Sequence, residues 1–169
     1  MYLDGIKNRI GTILKKIYYK ICYGNKIKIG QRTHFRKGFI ITIRKNGKII
    51  IGKKCFFNNY CSISSMEKIK IGNNCIFGEN VKIYDQNHVF NKSELIINQG
   101  YNCNEVIIGD NCWFGSNVII LKNSQIGNNV VIGAGCVINE KIPDNTIVKL
   151  IQDKKIEKIR INERENNDG

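Results

Sequence analysis

Residues 108–142, broken every six positions, read IGDNCW FGSNVI ILKNSQ IGNNVV IGAGCV INEKI. Each block opens on a bulky apolar residue: Ile108, Phe114, Ile120, Ile126, Ile132 and Ile138. Gly109, Gly115, Gly127 and Gly133 directly follow four of these. The fifth position holds Cys112, Val118, Ser124, Val130, Cys136 and Ile142, mostly small side chains. A period of six is a multiple of the two-residue strand repeat and does not fit the 3.6-residue helical turn, so it selects strands. One short strand and one corner per block make a flat face. Three such faces close a triangular coil of about 18 residues, and coils stack as parallel strands about 4.8 Å apart. The opening residue points inward, the small fifth residue sits near a corner, and Gly or Asn at corners tolerates positive φ.

The same register extends upstream through Ile51, Phe57, Ile63, Ile71, Phe77 and Ile83, with a weaker copy at Ile29, Phe35 and Ile41. About five coils are expected, each resting on the next, with caps needed at both ends. The register also explains the cysteines. Cys55, Cys61, Cys75, Cys112 and Cys136 all fall on the fifth position, where Cys acts as a small hydrophobe; only Cys22 and Cys103 lie outside it. With an odd count of seven and no C-x-x-C pair, reduced thiols are expected and a catalytic thiol is not.

The chain of 169 residues has room for one main domain. Its net charge of +13 is unevenly placed. Residues 1–54 carry 15 Lys/Arg against the single acid Asp4, and the remaining 115 residues carry 12 against 13. The basic end is expected to meet an anionic membrane surface or anionic glycan; a solvated face shaped by the codon bias of an AT-rich bacterial genome is the other reading. No nucleic-acid partner is expected. No apolar run approaches the roughly 18 residues of a membrane span. Lys7, Arg9, Lys15 and Lys16 interrupt any export signal, so the expected location is cytoplasmic, peripheral to the inner membrane.

Within residues 4–22, Ile6, Ile10, Ile13, Leu14, Ile17 and Ile21 share one helical face. A helix packing that face on the stack or on a neighbour is expected, with a membrane-surface helix as the alternative. The organisation is then an amphipathic helix over 1–25, a β-helix over 26–148 and a charged tail over 149–169. The tail is expected to form a short helix that frays from about Glu163.

The repeat breaks once at length. Ile83 and Ile108 are 25 residues apart, so a loop over 84–105 must leave the prism; it opens Tyr84-Asp85-Gln86-Asn87-His88-Val89-Phe90. Loops on rigid scaffolds commonly carry function.

Here the chain resembles the left-handed β-helix acyltransferases, and within them the maltose, galactoside and capsule-polysaccharide O-acetyltransferases. The resemblance is carried by Ile71-Gly-Asn-Asn-Cys-Ile-Phe-Gly-Glu-Asn-Val-Lys-Ile-Tyr-Asp-Gln-Asn-His88, by residues 108–120, by residues 126–138 and by Ile142-Pro-Asp-Asn145. It covers about residues 50–148. It implies an all-β, left-handed parallel β-helix, a handedness that the period alone does not give. It also implies a homotrimer binding acetyl-CoA between subunits and moving the acetyl group to a sugar hydroxyl of a cell-surface glycan or its precursor. His88 matches the general base, Asn80 an acceptor-binding residue and Trp113 an aromatic wall near both substrates. Gly115, Ser116 and the Gly133-Ala134-Gly135 turn match positions along the pantetheine arm, with the Ser116 amide as oxyanion donor. Tyr84 and Asn87 flank the acceptor, and Lys141 stands near the CoA end; Asp85, the one acid near His88 in sequence, is read either as orienting the ring or as a surface acid in a turn.

Two departures from the family pattern are visible. Val148-Lys-Leu-Ile-Gln-Asp153 replaces the common Gly-Asn-Pro-Ala turn, and Asn139-Glu140 stands where a Thr-Lys pair is common. An imidazole with a pKa near 6.5 suits removal of a hydroxyl proton near neutrality. N-acetylation of an amino-sugar and a non-catalytic scaffold are the alternatives. Zinc chemistry needs about three His ligands, and only His34 and His88 exist, so no metal is expected. His34 is expected to be structural.

Overall fold

The computed structural model describes residues 2–151. One helix, α1 (Tyr2–Tyr23), precedes a left-handed parallel β-helix with three faces. The first face stacks strands 27–29, 49–51, 69–71, 106–108, 125–126 and 141–142; the second stacks 34–35, 56–57, 76–77, 113–114, 131–132 and 147–148. The third has only five strands, 40–43, 62–65, 82–84, 119–120 and 137–138. There are thus five complete coils and two sides of a sixth, one partial coil more than the repeat predicts. The extra sides open at Ile142 and Val148, six apart, but Ile142 follows Ile138 by only four residues, which breaks the register before them.

Parallel, in-register pairing puts like residues one above another, and the core is built from these columns. Ile29, Ile51, Ile71, Ile108, Ile126 and Ile142 form one column. Phe35, Phe57, Phe77 and Phe114 form another, continued by Ile132. Phe57 and Phe77 stack with centroids 4.3 Å apart at 2°, and Phe77 and Phe114 at 4.7 Å and 1°. That separation is the inter-strand spacing itself, so the backbone ladder sets the aromatic geometry.

The hexapeptide positions acquire separate physical reasons. A Cβ on Gly52 would lie 2.3 Å from the Gly72 carbonyl oxygen, so the second position is Gly because coils approach too closely for a side chain. Positive φ belongs instead to the fourth position, at Asn74, Asn80, Asn111, Asn117, Asn129 and Asn145. The fifth position is small and also donates. Thr33 Oγ1 reaches the Gly52 carbonyl at 2.8 Å, and the Cys55, Cys75 and Cys112 thiols reach those of Gly72, Gly109 and Gly127 at 3.1–3.2 Å. Burial pushes the Cys61 thiol up to about 11, in keeping with an inert packing role.

α1 caps the open edge of the first coil, but not with the expected face. Thr12 Oγ1 donates to the Phe35 carbonyl at 3.2 Å and accepts the Phe35 N–H at 3.1 Å. Tyr19 Oη likewise donates to the Phe39 carbonyl and accepts the Ile41 N–H, both at 3.1 Å, while Tyr23 donates to the Ile41 carbonyl. Lys15 and Lys16 donate to the Arg36 and Gly30 carbonyls. Ile10, Ile13, Leu14, Ile17 and Ile21 are all exposed. A free strand edge needs polar partners, which isoleucines cannot supply and hydroxyls can in both directions. The Ile6 side chain and the charged tail from residue 152 onward, with its helix and fraying at Glu163, lie outside the described residues.

Candidate active site

The loop leaves the third face after Tyr84 and returns to the first face at Val106. Its base is a short antiparallel ladder in which Gln86, Asn87 and His88 face Cys103, Asn102 and Tyr101. His88 is exposed, and its ring lies 4.4 Å from the Tyr101 ring, tilted by 40°. The Lys45 ammonium sits 5.1 Å above the other partner in this set, the Tyr101 ring. Tyr101 and Lys45 are the residues that sequence reading misses, since nothing in the repeat tells which part of a 22-residue loop pairs back on His88. At the far end of the loop, buried Gln99 accepts the Lys92 N–H at 3.0 Å and donates to the Glu94 carbonyl at 2.6 Å.

Asp85 works differently from the expectation that it orients His88. It is fully buried, and its carboxylate accepts from Ser65 Oγ (2.6 Å), Met66 N–H (2.8 Å) and Glu67 N–H (3.0 Å). Its own carbonyl accepts the Asn104 N–H at 2.9 Å. Both carboxylate oxygens are therefore used on the coil below, and the backbone ties the two stems of the loop together. Asp85 is a positioning residue at the root of the loop. Beside it, Gln86 Nε2 donates to Ser64 Oγ at 3.0 Å, and Gln86 Oε1 is buried with no partner among the described residues. A polar cavity of about 490 Å³ opens at this root, lined by Lys48, Glu67, Lys68, Cys103 and Glu105 among others. Burial, then the charges of Asp85 and Glu67, raises the Cys103 thiol above its usual value, which disfavours a thiolate there.

A second group of predicted residues gathers at the corner between the second and third faces. Trp113 projects from the second face, 54 % exposed. The chain then turns through Gly115 and Ser116, against Gly133-Ala134-Gly135 of the next coil. A Cβ on Gly115 would lie 2.5 Å from the Ala134 nitrogen, and the Gly135 N–H donates to the Ser116 carbonyl at 3.0 Å. Among the described residues the Ser116 N–H donates to no backbone acceptor. Asn80 belongs to this corner too, where it also serves the scaffold. It holds φ of 59° and donates from Nδ2 to Asn117 Oδ1 at 2.8 Å, as Asn111 does to Asn129 and Asn129 to Asn145 at another corner.

Within one chain these two groups stand apart. Asn80 and Asp85 flank the third-face strand 82–84, separated by at most roughly 16 Å at about 3.3 Å per residue. Tyr84, Asn87 and His88 continue away from the corner. Lys141 is separate again, on the first face beside a groove of about 340 Å³ that includes Gln125, Gly127 and Pro143.

Residues 105–140 match the family model described as bacterial transferase hexapeptide (six repeats). The Escherichia coli K12 protein WbbJ, assigned to lipopolysaccharide biosynthesis as an O-acetyl transferase, is 27 % identical over 165 residues, covering 87 % of this chain and 84 % of that protein. The chain carries the bacterial transferase hexapeptide repeat and is similar over most of its length to an O-acetyl transferase. Among solved structures, a hexapeptide-repeat acetyltransferase of Vibrio cholerae complexed with acetyl coenzyme A shares the fold of this chain. Its TM-score is 0.62 and its identity 23 %, over 72 % of this chain and 64 % of that one. A galactoside acetyltransferase in complex with coenzyme A has a TM-score of 0.57 and 28 % identity, over 69 % of this chain and 59 % of that one. The chain thus spans under two thirds of either solved chain.

Proposed function

We propose that this protein is an acyltransferase that moves an acetyl group from acetyl-CoA to a sugar hydroxyl of a cell-surface polysaccharide or its precursor. The observation that carries the reading is the presentation of His88, held out from a rigid stack on a two-stranded stem with its ring against Tyr101. The acetyl-CoA and coenzyme A complexes of the two solved acetyltransferases, and the assignment of WbbJ, support the co-substrate and the acceptor class.

In this reading the His88 imidazole takes the hydroxyl proton as the sugar oxygen attacks the thioester carbonyl. The Ser116 N–H donates to the oxygen on which negative charge develops. Collapse expels the thiolate of CoA, which takes the proton back from His88, leaving an ester and free CoA. A positioned base contributes about 10²–10⁴-fold, and a backbone donor to the oxyanion a comparable factor.

In this reading the active unit is a homotrimer, as the family resemblance implies, in which His88 of one subunit and the Trp113–Ser116 corner of a neighbour meet a single thioester. Phe90, Leu95, Ile96 and Ile97, all exposed on the loop, support this as apolar surface awaiting cover. Trp113 then walls the pantetheine and Tyr84 and Asn87 border the acceptor.

The test incubates the protein with acetyl-CoA and a panel of surface glycans, scored by mass spectrometry for the gain of one acetyl group. Alkali-labile product marks an ester; alkali-stable product marks N-acetylation of an amino-sugar. His88→Ala should lower transfer about 10²–10⁴-fold with an unchanged thermal midpoint, and unchanged transfer removes the general base. A monomer mass by light scattering at the concentration of full activity removes the shared site.

A further inference from the structure

The orientation of α1 leaves a surface that acyl transfer does not use. Its hydroxyl-bearing face closes the prism through Thr12, Tyr19 and Tyr23. Its apolar face therefore lies on the side of the helix away from these anchors and is left exposed. Ile17 is 52 % exposed and Ile21 79 % exposed, and Ile10, Ile13 and Leu14 continue the stripe. Between helix and first face lies a groove of about 380 Å³ walled by Ile17, Ile21, Ile27 and Ile29, with Lys16 and Lys20 at its lip.

Charge surrounds this stripe. From residue 5 to residue 66 the sequence holds 15 Lys/Arg and no Asp or Glu. The lysines near the helix bond to neutral carbonyls: Lys15 to Arg36, Lys16 to Gly30, Lys20 to Gly24 and Lys26 to Lys45. Such bonds fix the ammonium groups in place and leave their charge uncancelled. A second copy docking end to end would bring two of these positive surfaces together. No helix among the described residues is long and apolar enough to cross a membrane.

We propose that the α1 end is a docking surface for an anionic lipid bilayer. The helix lies in the plane of the interface, its isoleucine stripe enters the acyl boundary, and Lys16, Lys20 and the first-coil bases meet lipid phosphates. An apolar face rimmed by Lys and Arg on a helix of this length fits that placement, as does a groove with an apolar floor and two ammonium groups at its mouth. The proposal does not depend on the acyl-transfer reading, because it uses none of the residues assigned to transfer.

The test is flotation of the full chain with vesicles of phosphatidylcholine alone or mixed with phosphatidylglycerol, at low and raised salt. Expected is at least about ten-fold greater retention on the anionic vesicles, with release as salt screens the lysines. Ile17→Asp with Ile21→Asp should abolish retention while leaving the thermal midpoint and the acetyl-transfer rate to a soluble glycan unchanged. Lys20→Glu, an exposed change that leaves the stripe intact, should weaken retention several-fold. Equal retention on both vesicle types, none on either, or retention that survives the double substitution overturns the proposal. So does a mass in light scattering that reports end-to-end pairing dissolved by the same substitution.

Discussion

The stack and the loop that interrupts it solve opposite problems. In the stack, each inward residue rests on its like in the next coil, and Phe57, Phe77 and Phe114 are almost wholly buried. In the loop, Asp85 and Gln99 are the buried side chains, and Phe90, Leu95, Ile96 and Ile97 face outward. Repetition confers stability by making each layer the template of the next, which leaves no inner position free for chemistry. The loop escapes that constraint, presents His88, and pays with a local structure held by two buried polar anchors.

If the comparison is right, damage to a column spreads and damage to the loop does not. Phe77→Ala should give the largest effect on stability. It removes the middle of the stacked rings and leaves a cavity facing Phe57 and Phe114, at a cost of about 3–5 kcal/mol. For a chain of this size that lowers the thermal midpoint by roughly 6–20 °C. Calorimetry should show a single transition moving as a whole; a separate early transition from only part of the stack would break the picture of one cooperative column.

The stack was legible because its signal repeats: a period of six, read many times, overrides any single exception. The loop and the cap carry no repeat. Nothing in order or spacing tells that Tyr101 returns to His88, since antiparallel stems are set by side-chain and turn detail. The helix misleads for a physical reason. Periodicity finds its apolar face correctly, but burial expectations send that face inward, whereas the open backbone edge of the first coil demanded hydroxyls. Asn80 and Asp85 were visible as polar residues near His88, yet the sequence does not show that one sits in the left-handed region of a stacked corner and the other is bonded to Ser65, Met66 and Glu67. The two extra sides escaped because only four residues separate Ile138 from Ile142.

Asp85 joins the two regions, so it tests where one ends. Asp85→Ala leaves the Ser65 hydroxyl and the Met66 and Glu67 amides without their acceptor in a buried place. The expected cost is about 2–4 kcal/mol, smaller than the loss of Phe77. Amide exchange at Asn104, whose N–H meets the Asp85 carbonyl, should quicken more than at Ile120 in the core. Asp85→Asn retains one acceptor oxygen and should recover part of the stability. Equal exchange increases at both amides would show that the loop root and the stack open together, and the boundary drawn here would be lost.

The smallest effect lies at the capped end, where α1 meets the second face. Burial, then the charges of Lys16 and Arg9, lowers the His34 pKa below its usual value of about 6.5. A base with a depressed folded pKa contributes stability that is present above the unfolded value and lost as pH falls through the folded one. The protein should therefore lose a little stability as pH drops below about 6.5. Because His34 is largely exposed and water screens its neighbours, the fall in thermal midpoint should stay under about 3 °C. His34→Gln should remove that part of the pH dependence while leaving the midpoint near pH 7.5 unchanged. If the drop persists in His34→Gln, the acid sensitivity of this end arises from another group, and the helix is held more firmly than the repulsion between its lysines and this imidazole implies.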